Sequence, residues 1–198
     1  MDLYRIKPAL LRGLDPLLAW LERAGVRPDV LTLAAIPVGA VAGVAVLVSP
    51  SAPLALLLVP VAVAARLILN LLDGALARRT GTIHARGELY NEVGDRIADV
   101  LMLTPVAFVP GAHQATVLLG VTVAVLASFT SVATKAAGGT RSYRGILSKP
   151  GRMVLLSMAA IAVVIVGPEA WGPFGPLLLI GTSLTLLERV VFGIRELT

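Results

Sequence analysis

The chain has 198 residues, of which 57% are hydrophobic and 15% charged, and its mean hydropathy is +0.87. Soluble domains carry about 25% charged residues, so the composition excludes an ordinary soluble enzyme and indicates a membrane protein. The absence of cysteine excludes a disulfide framework and a thiolate metal site. The length fits one domain, and we expect it to cover residues 1–198.

The first 27 residues are predicted to form a cytoplasmic juxtamembrane segment. The first long apolar run begins near Val30, after mixed residues, which does not match the layout of a cleavable signal peptide. Asp15-Pro16 is typical of a helix N-cap followed by proline at the first helical position, and Gly25 ends the segment. The pattern predicts a short amphipathic helix, which lies either on the inner leaflet or against the bundle.

Six segments are predicted to cross the membrane, which requires about 20 mostly apolar residues each. They are Val30–Val48, Leu54–Ala77, Glu88–Val109, Ala115–Ala136, Met153–Val166 and Phe174–Val191. The fifth is short, so we expect it to begin earlier, near Pro150. The sequence therefore predicts an all-α, polytopic membrane protein with six transmembrane helices.

The basic residues define the predicted orientation. Lysine and arginine occur before segment one, between segments two and three, between four and five, and after six, whereas the three opposite loops have none. Positively charged loops remain in the cytoplasm. We therefore expect a multi-pass protein of the inner membrane, with both termini and the active site on the cytoplasmic side.

Polar side chains cluster at the cytoplasmic ends of segments two and three. Asn70 and Asp73 share one face of segment two. Segment three carries a second row at four-residue intervals: Asn91, Asp95 and Asp99. The short connection predicts that the two rows face each other, and their oxygen atoms suit a hard divalent cation.

A purely structural interpretation competes with the metal site. In that case Asp73 and Asp95 pair with Arg66, Arg78 or Arg96, and Asp99 pairs with Arg96, so that the charges only join two helices. Ionisable residues inside a membrane are costly and by default indicate function. Two opposed rows flanked by glycines favour a site.

The spacing of these residues resembles the motif of the CDP-alcohol phosphatidyltransferase family, D-x-x-D-G-x-x-A-R, eight residues, then G-x-x-x-D-x-x-x-D. The chain reads Asn70-Leu-Leu-Asp73-Gly74-Ala-Leu-Ala77-Arg78, eight residues, then Gly87-Glu-Leu-Tyr-Asn91-Glu-Val-Gly-Asp95. Every spacing matches. The departures are the two asparagines, which stand where the family has aspartate. The stretch from Gly25 to Thr32 also resembles the family's segment before its first span.

The resemblance implies transfer of a phosphatidyl group from CDP-diacylglycerol to the hydroxyl of a small polar alcohol, with release of CMP. The alternative arrangement is a related CDP-alcohol as donor with a lipid hydroxyl as acceptor. It makes Asp95 the general base. It places metal ligands at Asn70, Asp73, Asn91 and Asp95. It places the nucleotide against Gly74, Ala77, Arg78 and Gly87.

The expected cofactor is one or two divalent ions, Mg²⁺ or Mn²⁺. The two asparagines affect how many ions the site can bind. An amide oxygen binds a hard cation but supplies no charge. The alternative function is a degenerate, non-catalytic protein that binds CDP-lipid or acts as a scaffold.

The acceptor is expected to be a small, polar, in some cases phosphorylated alcohol. Its candidate ligands are Arg141, Arg152 and Asp99. The competing interpretation of the basic loop residues is that they follow the positive-inside bias and contact anionic lipids. Membrane lipids and a second copy of the chain, in a homodimer, are the expected partners, and no nucleic acid is expected.

Overall fold

Helices make up nearly all of the structure, a computed structural model that describes residues 12–198. They are α1 (Asp15–Arg23), α2 (Pro28–Val48), α3 (Leu58–Arg79), α4 (Ala85–Leu103), α5 (Gln114–Ala136), α6 (Lys149–Val166) and α7 (Phe174–Leu197). Short 3-10 turns at Pro53–Leu57, Thr104–Phe108 and Pro168–Trp171 precede or follow these helices. The predicted all-α membrane fold is confirmed. Residues 1–11 of the predicted juxtamembrane segment lie outside the described residues.

Within residues 12–198, five helical segments are long and apolar enough to cross a membrane. They are Pro28–Val48, Pro53–Arg79, Gln114–Ala136, Lys149–Val166 and Pro168–Leu197. The remaining predicted span, Glu88–Val109, is also helical over most of its length, as α4, but six charged residues between Ala85 and Leu103 make it too polar to qualify. The fifth predicted span begins at Lys149, one residue from where it was expected.

The arrangement of α2, α3 and α4 leaves room for a site. Helix α2 packs closely against both α3 and α4, whereas α3 and α4 approach each other mainly through side chains. Gly43 of α2 lies so close to α4 that a Cβ atom there would be 2.1 Å from the carbonyl oxygen of Leu101. The polar ends of α3 and α4 are therefore held at a distance that their side chains must bridge.

Helix α1 packs against the bundle, which is one of the two interpretations of the amphipathic segment. Leu18 and Leu21 are buried against α2 and α3, while Trp20 is 56% exposed. Asp15 is the first residue of the helix instead of its N-cap, and its carboxylate accepts a hydrogen bond from Arg79 at 2.8 Å. An ion pair with the end of α3 thus replaces the predicted capping interaction.

The turn into α4 is fixed by His84. Its Nδ1 accepts a hydrogen bond from the backbone N–H of Gly87 at 2.8 Å and so caps the helix. Its Nε2 lies 3.5 Å from a carboxylate oxygen of Asp29, at the start of α2. The first turns of α2 and α4 are therefore joined beside the second half of the motif.

Candidate active site

Asp95 is the point where three helices meet. Its Oδ1 accepts a hydrogen bond from Asn70 Nδ2 of α3 at 3.2 Å and is paired with Lys149 of α6. Arg66 Nη2, also from α3, lies 3.4 Å from the same oxygen and donates to the backbone carbonyl of Asp95 at 2.9 Å. The side chain is 12% exposed, so the carboxylate is fixed but still reaches the surface of the site.

Asp73 is held by α2. Its Oδ2 accepts a hydrogen bond from the Thr32 hydroxyl at 2.8 Å, and its Oδ1 accepts one from the backbone N–H of Gly74 at 2.5 Å. The residue is buried. Thr32 lies in the stretch that resembles the family's approach to its first span, so that stretch contributes directly to the site. No local pattern of residues predicts this contact, because Thr32 and Asp73 are 41 positions apart.

The two asparagines of the motif are the only asparagines in the chain. Asn70 donates its amide to Asp95, and its carbonyl oxygen is buried without a hydrogen-bond partner among residues 12–198. Asn91 is half-buried and lies one helical turn before Asp95 on α4. The two rows predicted from spacing are thus joined by the Asn70–Asp95 contact.

A buried ionic network lies directly beneath Asp95. Asp99 accepts a hydrogen bond from Arg66 Nη1 on one oxygen and from Arg152 Nη2 on the other, both at 2.7 Å. Both arginines are almost fully buried. Of the pairings considered from the sequence, that of Asp95 with Arg66 and Arg96 is confirmed, at 3.4 Å and 3.8 Å. The other two are wrong: Arg66 pairs with Asp99 instead of Asp73, and Arg96 pairs with Glu92 at 2.5 Å instead of Asp99.

A basic cleft opens beside Asp95. Its walls carry Asp95, Arg96, Asp99, Ser128, Ser131, Arg141, Ser142, Tyr143, Lys149, Arg152 and Arg189. All three residues proposed for the acceptor line it, namely Arg141, Arg152 and Asp99. Arg141 is paired with Glu92.

Arg189 is a cleft residue that the sequence analysis missed. It lies on α7, is buried, and donates to the carbonyl oxygens of Arg144 at 2.8 Å and Ala127 at 2.9 Å. No carboxylate is paired with it among residues 12–198. Its signal in the sequence was an arginine inside the sixth predicted span, where an ionisable residue is costly and indicates function.

The residues assigned to the nucleotide lie along the outer edge of the same region. The Arg78 guanidinium is exposed and lies near Gly74, 3.4 Å from where a Cβ atom there would be. Ala77 is half-buried. At Gly87, a Cβ atom would lie 3.3 Å from Asp29 and from His84, so the protein's own side chains already approach this backbone closely.

The donor atoms fit one hard cation better than two. No group of three or more histidine, cysteine or acidic side chains in residues 12–198 has the geometry of a metal site. Two carboxylates, Asp73 and Asp95, and the unpartnered carbonyl of Asn70 remain as oxygen donors. This set suits a single ion of the magnesium or manganese type, which takes a few protein oxygens and keeps water ligands.

The fold and the site together define a helical integral membrane protein with a row of carboxylate and amide groups beside a basic cleft. The profile of the family described as CDP-alcohol phosphatidyltransferase matches residues 26–192. The chain is 32% identical over 191 residues to the inner membrane protein YnbA of Escherichia coli strain K12, an alignment covering 96% of this chain and 94% of YnbA. The chain belongs to the CDP-alcohol phosphatidyltransferase family, as its motif suggested.

Solved structures share this fold. Phosphatidylinositol phosphate synthase (PgsA1) of Mycobacterium tuberculosis, with CDP-DAG bound, superposes with a TM-score of 0.76 at 21% identity, over 92% of this chain and 94% of that one. The same enzyme in complex with manganese and citrate gives a TM-score of 0.76 at 21% identity, over 90% and 88% of the two chains. These likenesses confirm the helical membrane architecture.

Proposed function

We propose that this protein transfers a phosphatidyl group from CDP-diacylglycerol to the hydroxyl of a small, phosphorylated alcohol and releases CMP. The observation that carries the proposal is the position of Asp95, which lies between the motif residues of α3 and the basic cleft. A base at this place reaches an acceptor in the cleft and a nucleotide held by the motif. The CDP-DAG bound to the mycobacterial relative supports the choice of donor.

The reaction is a displacement at phosphorus. The acceptor oxygen forms a bond to the β-phosphorus of the CDP-lipid, the bond from that phosphorus to the bridging oxygen breaks, and CMP leaves. Asp95 accepts the hydroxyl proton on Oδ2, because Oδ1 is taken by Lys149 and Asn70. Phosphoryl transfer depends mainly on positioning and charge neutralisation, which these fixed groups provide.

Other residues bind and orient the donor. Arg78, exposed at the edge of the site, offers a forked set of donors to the pyrophosphate. Asp73 and the carbonyl of Asn70 would hold a divalent cation, Mg²⁺ or Mn²⁺, with Asn91 and Asp95 as the further predicted ligands. When bound, such an ion offsets the negative charge of the pyrophosphate.

The cleft favours a phosphorylated acceptor. Its walls carry five cationic side chains and only two carboxylates. Within residues 12–198, Arg189 is bonded only to backbone carbonyls, so its charge is available to an anion. Arginine matches the geometry of a phosphate group. Arg189, Arg141 and Arg152 together give the cleft its preference for a phosphorylated alcohol.

The site is proposed to face the cytoplasm. The nucleotide part of a CDP-linked substrate and the CMP that is released are both water-soluble. The ends of α3 and α7, the starts of α4 and α6 and the basic loop before α6 lie on the same side of the bundle. The positive-inside rule assigns that side to the cytoplasm. The predicted homodimer remains a prediction, which chemical cross-linking in membranes tests.

The experiment is an assay of CMP release by the full chain, purified in detergent, with CDP-diacylglycerol and Mg²⁺ or Mn²⁺. The acceptors are glycerol phosphate, inositol phosphate, inositol, serine and glycerol. We expect metal-dependent release that a phosphorylated acceptor stimulates and that Asp95→Ala abolishes. Binding of CDP-diacylglycerol without release for any acceptor would instead indicate the degenerate binding protein.

The role of Arg189 is tested in the same assay. Arg189→Gln is expected to raise the KM for the phosphorylated acceptor by about tenfold, the effect of losing one charge-assisted hydrogen bond. The KM for CDP-diacylglycerol should stay unchanged. An equal rise in both KM values would indicate that Arg189 only supports the fold.

A further inference from the structure

One oxygen of Asp95 is already satisfied by the protein. Oδ1 is paired with the Lys149 ammonium, accepts a hydrogen bond from Asn70 Nδ2 at 3.2 Å, and lies 3.4 Å from Arg66 Nη2. A carboxylate oxygen has about two lone-pair positions. Three donors from two helices therefore leave this oxygen without a free position for a metal ion.

The identity of residue 70 decides what can face Asp95. An aspartate would place a carboxylate oxygen where the amide nitrogen of Asn70 now lies, 3.2 Å from the Asp95 oxygen. Two carboxylates at that distance repel each other unless a cation lies between them. Asparagine removes the repulsion and supplies a hydrogen bond, so the contact forms without a metal ion.

Lys149 supplies the positive charge at the same point. It is the first residue of α6, and its side chain is 24% exposed, so most of it is enclosed by the site. Lys149 therefore acts as a fixed cation beside Asp95. Asn70 provides an amide at the position where an aspartate would require a second metal ion. Asn91, the other amide, supplies no charge either.

We propose that Asn70 and Lys149 are positioning residues that hold Asp95 in place of a second divalent ion, so that each chain binds one divalent cation. That ion lies on the side of Asp73 and the Asn70 carbonyl, which is buried without a partner in the described part of the chain. The inference rests on the proposed function, which gives the bound ion its role in binding the CDP-lipid. The number of ions bound can be measured without any turnover.

The first experiment counts Mn²⁺ ions by the electron paramagnetic resonance signal of free Mn²⁺, titrated into the detergent-purified full chain. We expect one ion per chain. Two ions, or none, would overturn the proposal, and this result needs no variant. Because Mn²⁺ alone is the probe, the count stands even if no acceptor supports CMP release, so failure of the proposed function is seen separately.

The second experiment tests whether the site can be changed so that it binds two ions. Replacing both asparagines and the lysine, as N70D/N91D/K149Q, restores carboxylates and removes the fixed cation, so the count should rise to two ions per chain. Lys135 provides the control, because it is half-exposed and paired with the exposed Glu88. N70D/N91D/K135Q retains Lys149 on Asp95 and should bind fewer ions than the first variant. Equal counts for the two variants would contradict a role for Lys149.

The third experiment separates positioning from folding. Lys149→Gln should lower kcat for CMP release by about tenfold or more, as expected for loss of a charge-assisted hydrogen bond to the base, with the KM for CDP-diacylglycerol unchanged. Lys149→Arg keeps the cation and should recover most of the rate. A Lys149→Arg variant as slow as Lys149→Gln, or a Lys149→Gln variant with the native rate, would overturn the assignment.

Discussion

At the scale of the residue, the network around Asp99 combines burial with charge. Both of its oxygens are bonded to arginines, Arg66 and Arg152, that are 0% and 2% exposed. Breaking a buried ion pair by removing one partner leaves a buried charge without compensation. Asp99 therefore joins α3, α4 and α6 directly beneath Asp95.

We expect Asp99→Asn to destabilise the protein by about 3–5 kcal/mol, since it leaves two buried arginines with one weak acceptor. The measurement is thermal unfolding in detergent. Glu88→Gln is the matched control, because its partner Lys135 is half-exposed and exposed pairs contribute about 1 kcal/mol or less. Equal melting temperatures for the two variants would contradict the structural role of the network.

Thr32 is the second residue with a defined effect. Thr32→Val removes the hydroxyl that bonds Asp73 at 2.8 Å but keeps the shape of the side chain. We expect the Mn²⁺ concentration that gives half-maximal CMP release to rise by about tenfold, as for loss of a hydrogen bond to a charged group. Thr32→Ser retains the hydroxyl and should behave like the native protein. Equal Mn²⁺ concentrations for half-maximal release with Thr32→Ser and Thr32→Val would contradict a role for the hydroxyl.

At the scale of the element, the close approach of α2 to α4 sets the position of Asp95. Gly43→Ala would place a methyl group 2.1 Å from the carbonyl oxygen of Leu101, and only a shift of one helix relieves that contact. We expect a loss of about 1–3 kcal/mol of stability, typical of overpacking. Gly94→Ala is the control, because a Cβ atom there would lie 3.5 Å from the flexible end of Ile36. Unfolding in detergent compares the two, and a Gly43→Ala variant as stable as Gly94→Ala would contradict the packing.

The sequence predicted the elements well because hydrophobic length and helical spacing are local properties. Segment bounds, the two polar rows and the motif positions all depend on residues a few places apart. The contacts that those residues make depend instead on residues far away in the sequence. Lys149 reaches Asp95 across 54 positions, and its loop offered only the positive-inside rule as an explanation. The contacts of Thr32 and Arg189 likewise depend on how the helices pack, which no local pattern contains.

At the scale of the whole molecule, the charges and the apolar surface together predict the orientation in the membrane. Large apolar side chains are exposed along the transmembrane helices, as a lipid environment requires. The motif and the basic cleft lie on one side of the bundle, and the loop around His113, which has no lysine or arginine, lies on the other. In the proposed orientation, a lipid donor would enter the site laterally and a water-soluble acceptor would enter it from the cytoplasm.

The absence of cysteine makes this orientation directly measurable, because a single introduced cysteine is the only thiol in the chain. Thr82 and His113 are both exposed and lie in loops at opposite ends of the helix bundle. A membrane-impermeant maleimide applied to spheroplasts should label His113→Cys at once, and Thr82→Cys only after the membrane is permeabilised. The positive-inside rule requires this order because the loop of Thr82 lies between Arg78, Arg79 and Arg86. The reverse order of labelling would place the motif outside the cytoplasm, away from any supply of CDP-linked substrate, and would contradict both the orientation and the proposed reaction.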